Sequence, residues 1–529
     1  MKICLRILVV SILALYSFSA IAQTTTNLGT YVSVIEAKQL YTDLLPRHTS
    51  IRPYLKENKD WADTTTVFEF SEKRKSLVLR KLFDEHLVEY HQPGYSLAFD
   101  FLPDFQIGKE SGNNQTLWLN TRGFYLGGSI GKNFSFYTTF YENQGVFPAY
   151  VKSFADSNRV IPGQGEVRPY GNGGFDYAYS AGRLSYTPSK FFNFDLGYDR
   201  NFLGDGYRSL LLSDVTTPYP YFKVTTTVGP LRYWVMWSQL IDMRAPQFSY
   251  DTGYRKKWGV FHYLDWNVSK KVSIGLFENI IWQDADSTGK RGFDWSYMNP
   301  FIFLRPVEFA NGSPDNAMVG INAKYKVLKK TSVYGQFFLD EFKESELFSD
   351  KGWWANKWGA QIGFKSFDIF KVNNLYAQGE FNTIRPYTSS SRTSLINYGH
   401  YNQPLGHPWG ANFRELLGII NYTWQRFDFR GQLSYGNYGL DAPGDNFGKN
   451  IFLSYDTRES DYENHIGQGI FTHLYFGDFK TSYIFNPKYN LRLELGLAYR
   501  REKNDLADNK ATIISFGLRS SFRNLYNDF

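Results

Sequence analysis

From about Gly94 to the C-terminus the chain repeats one pattern: short segments of alternating apolar and polar side chains, joined by connections that are brief and long in turn. Phe134, Phe136 and Phe140 share one face of a segment, and Leu491, Leu493, Leu495 and Leu497 stand opposite Arg492, Glu494 and Gly496. Period two over such a length predicts a β-strand. Tight polar turns fall at 131–133, 187–190, 228–230, 269–271, 328–330, 425–426 and 486–488. Between them lie long connections, roughly 145–175, 203–217, 242–256, 285–314, 343–356, 386–412, 439–466 and 502–510. With 95–109 as the first strand and the last near 511–523, the count is about eighteen, an even number. A polar face cannot point into lipid, so it must line a lumen. The fold class expected is all-β: a transmembrane antiparallel β-barrel, with short turns on the periplasmic side and long loops outside.

Composition agrees. Aromatic residues make up 19% of the chain (39 Tyr, 46 Phe and 13 Trp), yet mean hydropathy is only −0.40. Strands that alternate between lipid and water, with ring-rich girdles at both interfaces, give that mixture. A β-propeller would repeat one motif per blade, and none is seen.

Residues 1–22 read as a signal peptide: Lys2 and Arg6, an apolar core from Ile7 to Phe18, and small residues at Ala20-Ile21-Ala22. Cleavage near Ala22 takes the net charge from +7 to +5 and removes Cys4, the one cysteine. The mature chain then has no disulfide or thiolate chemistry, and no Lys/Arg run of the kind that binds nucleic acid. Residues 23–93 read as a periplasmic N-terminal segment. Ser33 and Glu36 suggest a short helix to Leu45, and Leu79, Phe83, Leu87 and Tyr90 lie at helical spacing within 72–90. The barrel then occupies 94–529, closing on a terminal Phe529 of the kind expected to engage barrel-assembly machinery.

No G-x-S-x-G or H-E-x-x-H motif occurs, and eight His residues supply few bases. The chain is therefore expected to be no enzyme, with no catalytic residue, metal or cofactor. The acidic stretch Asp445, Asp456, Glu459, Asp461 and Glu463 reads as a solvated loop. Sugar recognition suits the residues better: aromatic faces stack on sugar C–H faces while polar groups bond the hydroxyls. The 343–356 loop offers Trp353 and Trp354; the 386–412 loop offers Tyr387, Tyr398, His400, Tyr401, His407 and Trp409. Rings at strand ends also serve as interface girdle.

Four stretches carry a family resemblance: Gly204 to Asp214 followed by Pro218-Tyr219-Pro220, Phe303 to Phe309, Trp353 to Lys357, and Tyr398 to Phe413. On these the chain resembles the Wzi-type capsule-assembly family of outer-membrane proteins, in particular its Bacteroidota branch, which includes gliding-motility outer-membrane proteins. The resemblance implies an eighteen-stranded barrel that attaches capsular polysaccharide at the cell surface without catalysis. Its expected partners are outer-membrane lipid, surface polysaccharide and, in the gliding branch, gliding or type IX secretion proteins. A diffusion or substrate-specific porin is the alternative that the barrel pattern leaves open.

Overall fold

The computed structural model describes residues 24–25, 34–42, 47–56, 74, 76–301, 305–312, 315–341, 344–347 and 351–529. The expected signal peptide and Ser33 lie outside the described residues.

Eighteen strands close one antiparallel barrel. They are β1 Tyr95–Glu110, β2 Thr116–Ile130, β3 Phe134–Val146, β4 Gly174–Tyr186, β5 Phe192–Asp199 and β6 Tyr219–Val228. Then follow β7 Leu231–Asp242, β8 Arg255–Trp266, β9 Val272–Gln283, β10 Asn316–Leu328, β11 Thr331–Leu339 and β12 Trp358–Phe367. The wall is completed by β13 Leu375–Ile384, β14 Phe413–Trp424, β15 Phe427–Leu440, β16 Ile470–Asn486, β17 Leu491–Lys503 and β18 Asp508–Ser520. Each strand pairs with its neighbours in the chain, and β18 closes on β1 from Ile513↔Glu110 to Arg519↔Asp104. The seven tight turns expected from the sequence share one rim with an eighth, 368–374. The opposite rim carries the long loops, although its first and last connections, 111–115 and 504–507, are themselves short.

The alternation resolves as lipid-facing and lumen-facing sides. Leu495, Leu497 and Phe140 are exposed on the outer wall. The strand cations point inward to partners: Lys223 to Asp195 at 2.9 Å, Arg492 to Glu494 at 2.9 Å, and Lys324 toward Asp205 at 3.8 Å. Charge facing lipid near the bilayer midplane costs about 2–4 kcal/mol for Arg or Lys, which fixes this side.

At the β18–β1 seam the structure departs from the sequence reading. The last strand ends at Ser520, and the chain then turns into the lumen, so Phe529 is not the end of a wall strand. The edge of β1 left below Asp104 is taken by Val88–Gln92, which pairs from Val88↔Phe99 to Gln92↔Tyr95. Residues expected to continue a helix to Tyr90 are therefore extended. The helix α2 spans only Leu77–Phe83, because an unpaired β1 edge offers Leu87 and its successors backbone partners that a helix would forgo. The helix α1, Val34–Thr42, and residues 47–56 enter the barrel from the short-turn rim: Lys38 bonds Asp368 and Asn373 of the 368–374 turn, and Tyr41 packs on Phe367.

Candidate functional site

Four segments meet inside the barrel: residues 47–56, the 200–218 connection, the 385–412 connection and the tail 521–529. Their hub is the Gly204-to-Asp214 stretch. Ile51–Arg52 pairs with Phe202–Leu203 as a two-residue ladder. Gly204 follows with φ +139, a backbone conformation that favours glycine over any residue with a Cβ. Beyond it, the wall satisfies the strand-free backbone. Glu380 accepts the N–H groups of Tyr207 (2.8 Å) and Arg208 (3.1 Å), the Gln336 carbonyl accepts that of Leu210 (2.8 Å), and Gln361 donates to the Arg208 carbonyl (3.1 Å). Buried backbone needs such partners. The polar inward face of the strands thus serves as a mould for this loop.

Asp205 fastens the N-terminal segment. It accepts from Tyr41 (2.8 Å), Thr49 (2.6 Å) and Asn322 (3.2 Å). Burial alone would raise its carboxyl; the charges of Lys324 and Lys365, with the bonds from Thr49 and Tyr41, outweigh that and hold it below the usual carboxylate range. A depressed folded value means that Asp205 contributes stability above the unfolded value of about 3.9, lost as pH falls through the folded one. Protection of residues 34–42 and 47–56 against hydrogen exchange, relative to the intrinsic rate at each pH, is therefore expected to fall as the pH drops below about 4 and this clamp protonates, and Asp205→Asn should remove that pH step. Unchanged protection down to pH 2 would refute the clamp.

Arg208 fastens the tail. Fully buried, it bonds Glu415 of β14 at 2.8 Å and Asp528 at 3.0 Å. Arg523 reaches Gln164 (2.6 Å) and Asn143 (3.1 Å), while Asp214 accepts from Asn524 (2.8 Å) and Tyr526 (2.7 Å). The terminal Phe529 packs on Tyr150 and Phe154, and Arg500 donates to its main-chain oxygen at 3.1 Å.

The glycan candidates divide. Tyr387, Tyr398, His400, His407 and Trp409 are buried and hold the inward loops in place. Tyr387 donates to the Asn446 carbonyl at 2.7 Å, and Tyr398 donates to the Leu211 carbonyl. His400 accepts from the Ile241 N–H at 2.9 Å, and burial pushes its imidazole down to about 3. His407 meets Glu415 at 2.7 Å; burial takes it down to about 4, against the pull of that carboxylate. Trp409 donates to the Asp528 carbonyl at 3.0 Å. In this packing none of the five presents a face to an outside ligand, because the 385–412 connection folds into the lumen rather than over the rim. Tyr401 is half-buried beside His400.

Trp353 and Trp354 are half-buried on the long-loop rim, with ring centroids 6.1 Å apart. The Trp354 ring lies 4.9 Å from that of Tyr455, and the Arg458 guanidinium sits 4.3 Å over it. Tyr455 and Arg458 were not among the residues the sequence singled out. They lie in the stretch read as a solvated acidic loop, and only tertiary contact brings them to Trp354. Within that stretch Asp461 pairs with Arg458 at 2.5 Å, and Glu459 accepts the Asn446 N–H at 2.9 Å. Beside the tail the lumen keeps a cavity of about 870 Å³, lined among others by Arg430, Gln432, Lys480, Arg492 and Arg519.

No protein-family model matches the sequence, and no curated protein is similar to it. Among solved structures the chain is similar to Wzi of Escherichia coli, an outer membrane protein involved in group 1 capsule assembly and described as a carbohydrate-binding β-barrel. That likeness has a TM-score of 0.53 at 13% identity, over 93% of this chain and 99% of that one. It is also similar to the outer membrane protein OprD of Pseudomonas aeruginosa, with a TM-score of 0.42 at 10% identity over 81% of this chain and 94% of that one. OccAB2 of Acinetobacter baumannii gives 0.43 at 10% identity, over 81% and 98%. Identities this low speak for the fold alone: the protein is a closed eighteen-stranded antiparallel β-barrel of the outer-membrane kind.

Proposed function

We propose that the protein is a non-catalytic outer-membrane barrel of the Wzi type, in its Bacteroidota branch, that attaches or assembles capsular polysaccharide at the cell surface. The observation that carries this reading is the pairing of a lumen crossed by the chain's own segments and a half-buried ring cluster on the loop rim. The half-buried rings of Trp353, Trp354 and Tyr455 suit sugar C–H groups, and the Arg458–Asp461 pair beside them suits sugar hydroxyls. The partners in this reading are outer-membrane lipid, the assembly machinery that inserts the barrel, and the polysaccharide itself.

Trp353→Ala with Trp354→Ala is expected to weaken binding of purified capsule to whole cells about tenfold, the equivalent of about 1.4 kcal/mol. Heat-modifiable barrel in the outer membrane should stay at wild-type level. Capsule retention equal to wild type in that double variant would remove the assignment.

The cavity of about 870 Å³ with its charged lining favours a second reading, a substrate-specific porin. Planar-bilayer recordings of the intact protein separate the two. Steady open-channel conductance supports the porin, and its absence supports the binding role. A role beside gliding or secretion proteins would appear as a stoichiometric protein partner on purification.

A further inference from the structure

The wall formed by β7 to β10 differs from the rest of the barrel on its outer side. In β8 the odd positions face the lumen: Lys257 donates to the Asn397 carbonyl and Asp265 meets His48 of the N-terminal segment. The even positions Trp258, Val260, His262 and Leu264 therefore face outward. The register carries the same side onto Val235 and Trp237 of β7, Glu278, Ile280 and Trp282 of β9, and Ala317 and Val319 of β10. Outward residues elsewhere, such as Leu196, Ile362 and Leu433, are widely exposed, whereas Val235, Val260, His262, Glu278, Ile280 and Trp282 are buried.

Their cover is the connection after β9. Phe293, Tyr297 and Val307 pack against this wall, with Phe293 5.4 Å from Trp258 and Tyr297 4.9 Å from Trp282. The Trp237 indole donates to the Tyr297 carbonyl at 2.9 Å, and that of Trp282 donates to the Gly292 carbonyl at 3.1 Å. Arg291 ties the connection's base to Asp294 and Asp315. A loop expected on the external side of the membrane is thus laid flat against the outer surface of the barrel wall.

Its other side is apolar: Trp295 is 75% exposed, Phe301 73% and Phe309 75%. Three large rings so exposed on one connection mark an interaction surface. It is flanked by the lipid-facing band of the wall, where Phe222, Trp266 and Ile321 are exposed. Beneath it lie polar groups that hydrocarbon would penalise, with Tyr233 hydrogen-bonded to His262 and Glu278 directly across from His262 in the ladder.

We infer that residues 293–301 and 305–310 form a membrane-embedded flap whose occupant is the acyl region of the leaflet on the long-loop side, with Trp295, Phe301 and Phe309 in lipid and Tyr233, His262 and Glu278 screened beneath. Continuity with the lipid-facing band selects lipid over a protein partner. The flap covers the three polar groups that this stretch of outer wall carries among its apolar side chains, and presents apolar rings in their place.

Site-directed spin labelling tests this on the full chain. With Cys4→Ser no other thiol is present, so Phe301→Cys and Phe309→Cys report single sites in proteoliposomes of the pure protein. Both labels are expected to collide with oxygen in preference to the water-soluble complex NiEDDA, matching an Ile321→Cys label on the lipid-facing wall. An Asp445→Cys label on the loop rim should show the reverse. Trp295→Cys stands in if either aromatic position fails to fold. Labels at 301 and 309 that follow the Asp445 pattern would overturn the flap, since pure protein offers no partner to cover them.

Discussion

Replacing Arg208 with alanine is expected to release the tail and to cost about 3–5 kcal/mol, the penalty for removing one partner of a buried ion pair. The guanidinium is enclosed and serves Glu415 and Asp528 together. Without it two carboxylates remain buried, and His407 is the nearest group able to answer Glu415. The loss falls on the interior rather than on the wall, because the ladders of β13 to β15 do not depend on Arg208. Hydrogen exchange should therefore show fast exchange at 521–529 with the strands still protected, and the thermal midpoint should drop. Arg208→Met combined with Glu415→Gln and Asp528→Asn is expected to recover much of the loss, since it removes the stranded charges as well. A tail as protected in Arg208→Ala as in wild type would refute the hub.

Deleting residues 521–529 should have the largest electrical effect. The tail runs from the end of β18 along the cavity of about 870 Å³ to Tyr150 and Phe154 near the opposite rim. It also covers the inward faces of Tyr141 and Tyr207, which Arg523 and Tyr526 contact. Without it the cavity widens across the lumen, and bilayer conductance should rise several-fold over the intact protein. Because β18 ends at Ser520, this deletion leaves every wall strand whole. Equal conductance in both forms would mean that the remaining loops alone close the passage. Deleting Phe529 alone should give a smaller change, since Arg523, Asn524, Tyr526 and Asp528 still hold the tail.

The two long motifs, Gly204 to Asp214 and Tyr398 to Phe413, stood out in the sequence, and both prove to be interior. Their glycines, prolines and polar side chains are what a segment requires in order to cross a lumen without a ladder. The same composition suits a loop that greets a ligand, so sequence alone did not separate the two. Trp353 and Trp354 stayed on the rim, and their partners Tyr455 and Arg458 came from a connection about a hundred residues away in the chain.

Alternation along each strand is a local property, and it determined the barrel, its strand number and the inward side that carries Arg492 and Glu494. Turn length, also local, determined which rim is tight. Tertiary structure decided everything that depends on where an unladdered backbone finds hydrogen-bond partners. It turned 521–529 inward, drew 88–92 onto the vacated edge of β1, and folded 200–218 and 385–412 into the lumen. It also laid Phe293, Tyr297 and Val307 against the outer wall. A loop's destination is set by acceptors and donors that distant strands present, such as Glu380, Gln336 and Gln361, and that pairing exists only once the cylinder has closed.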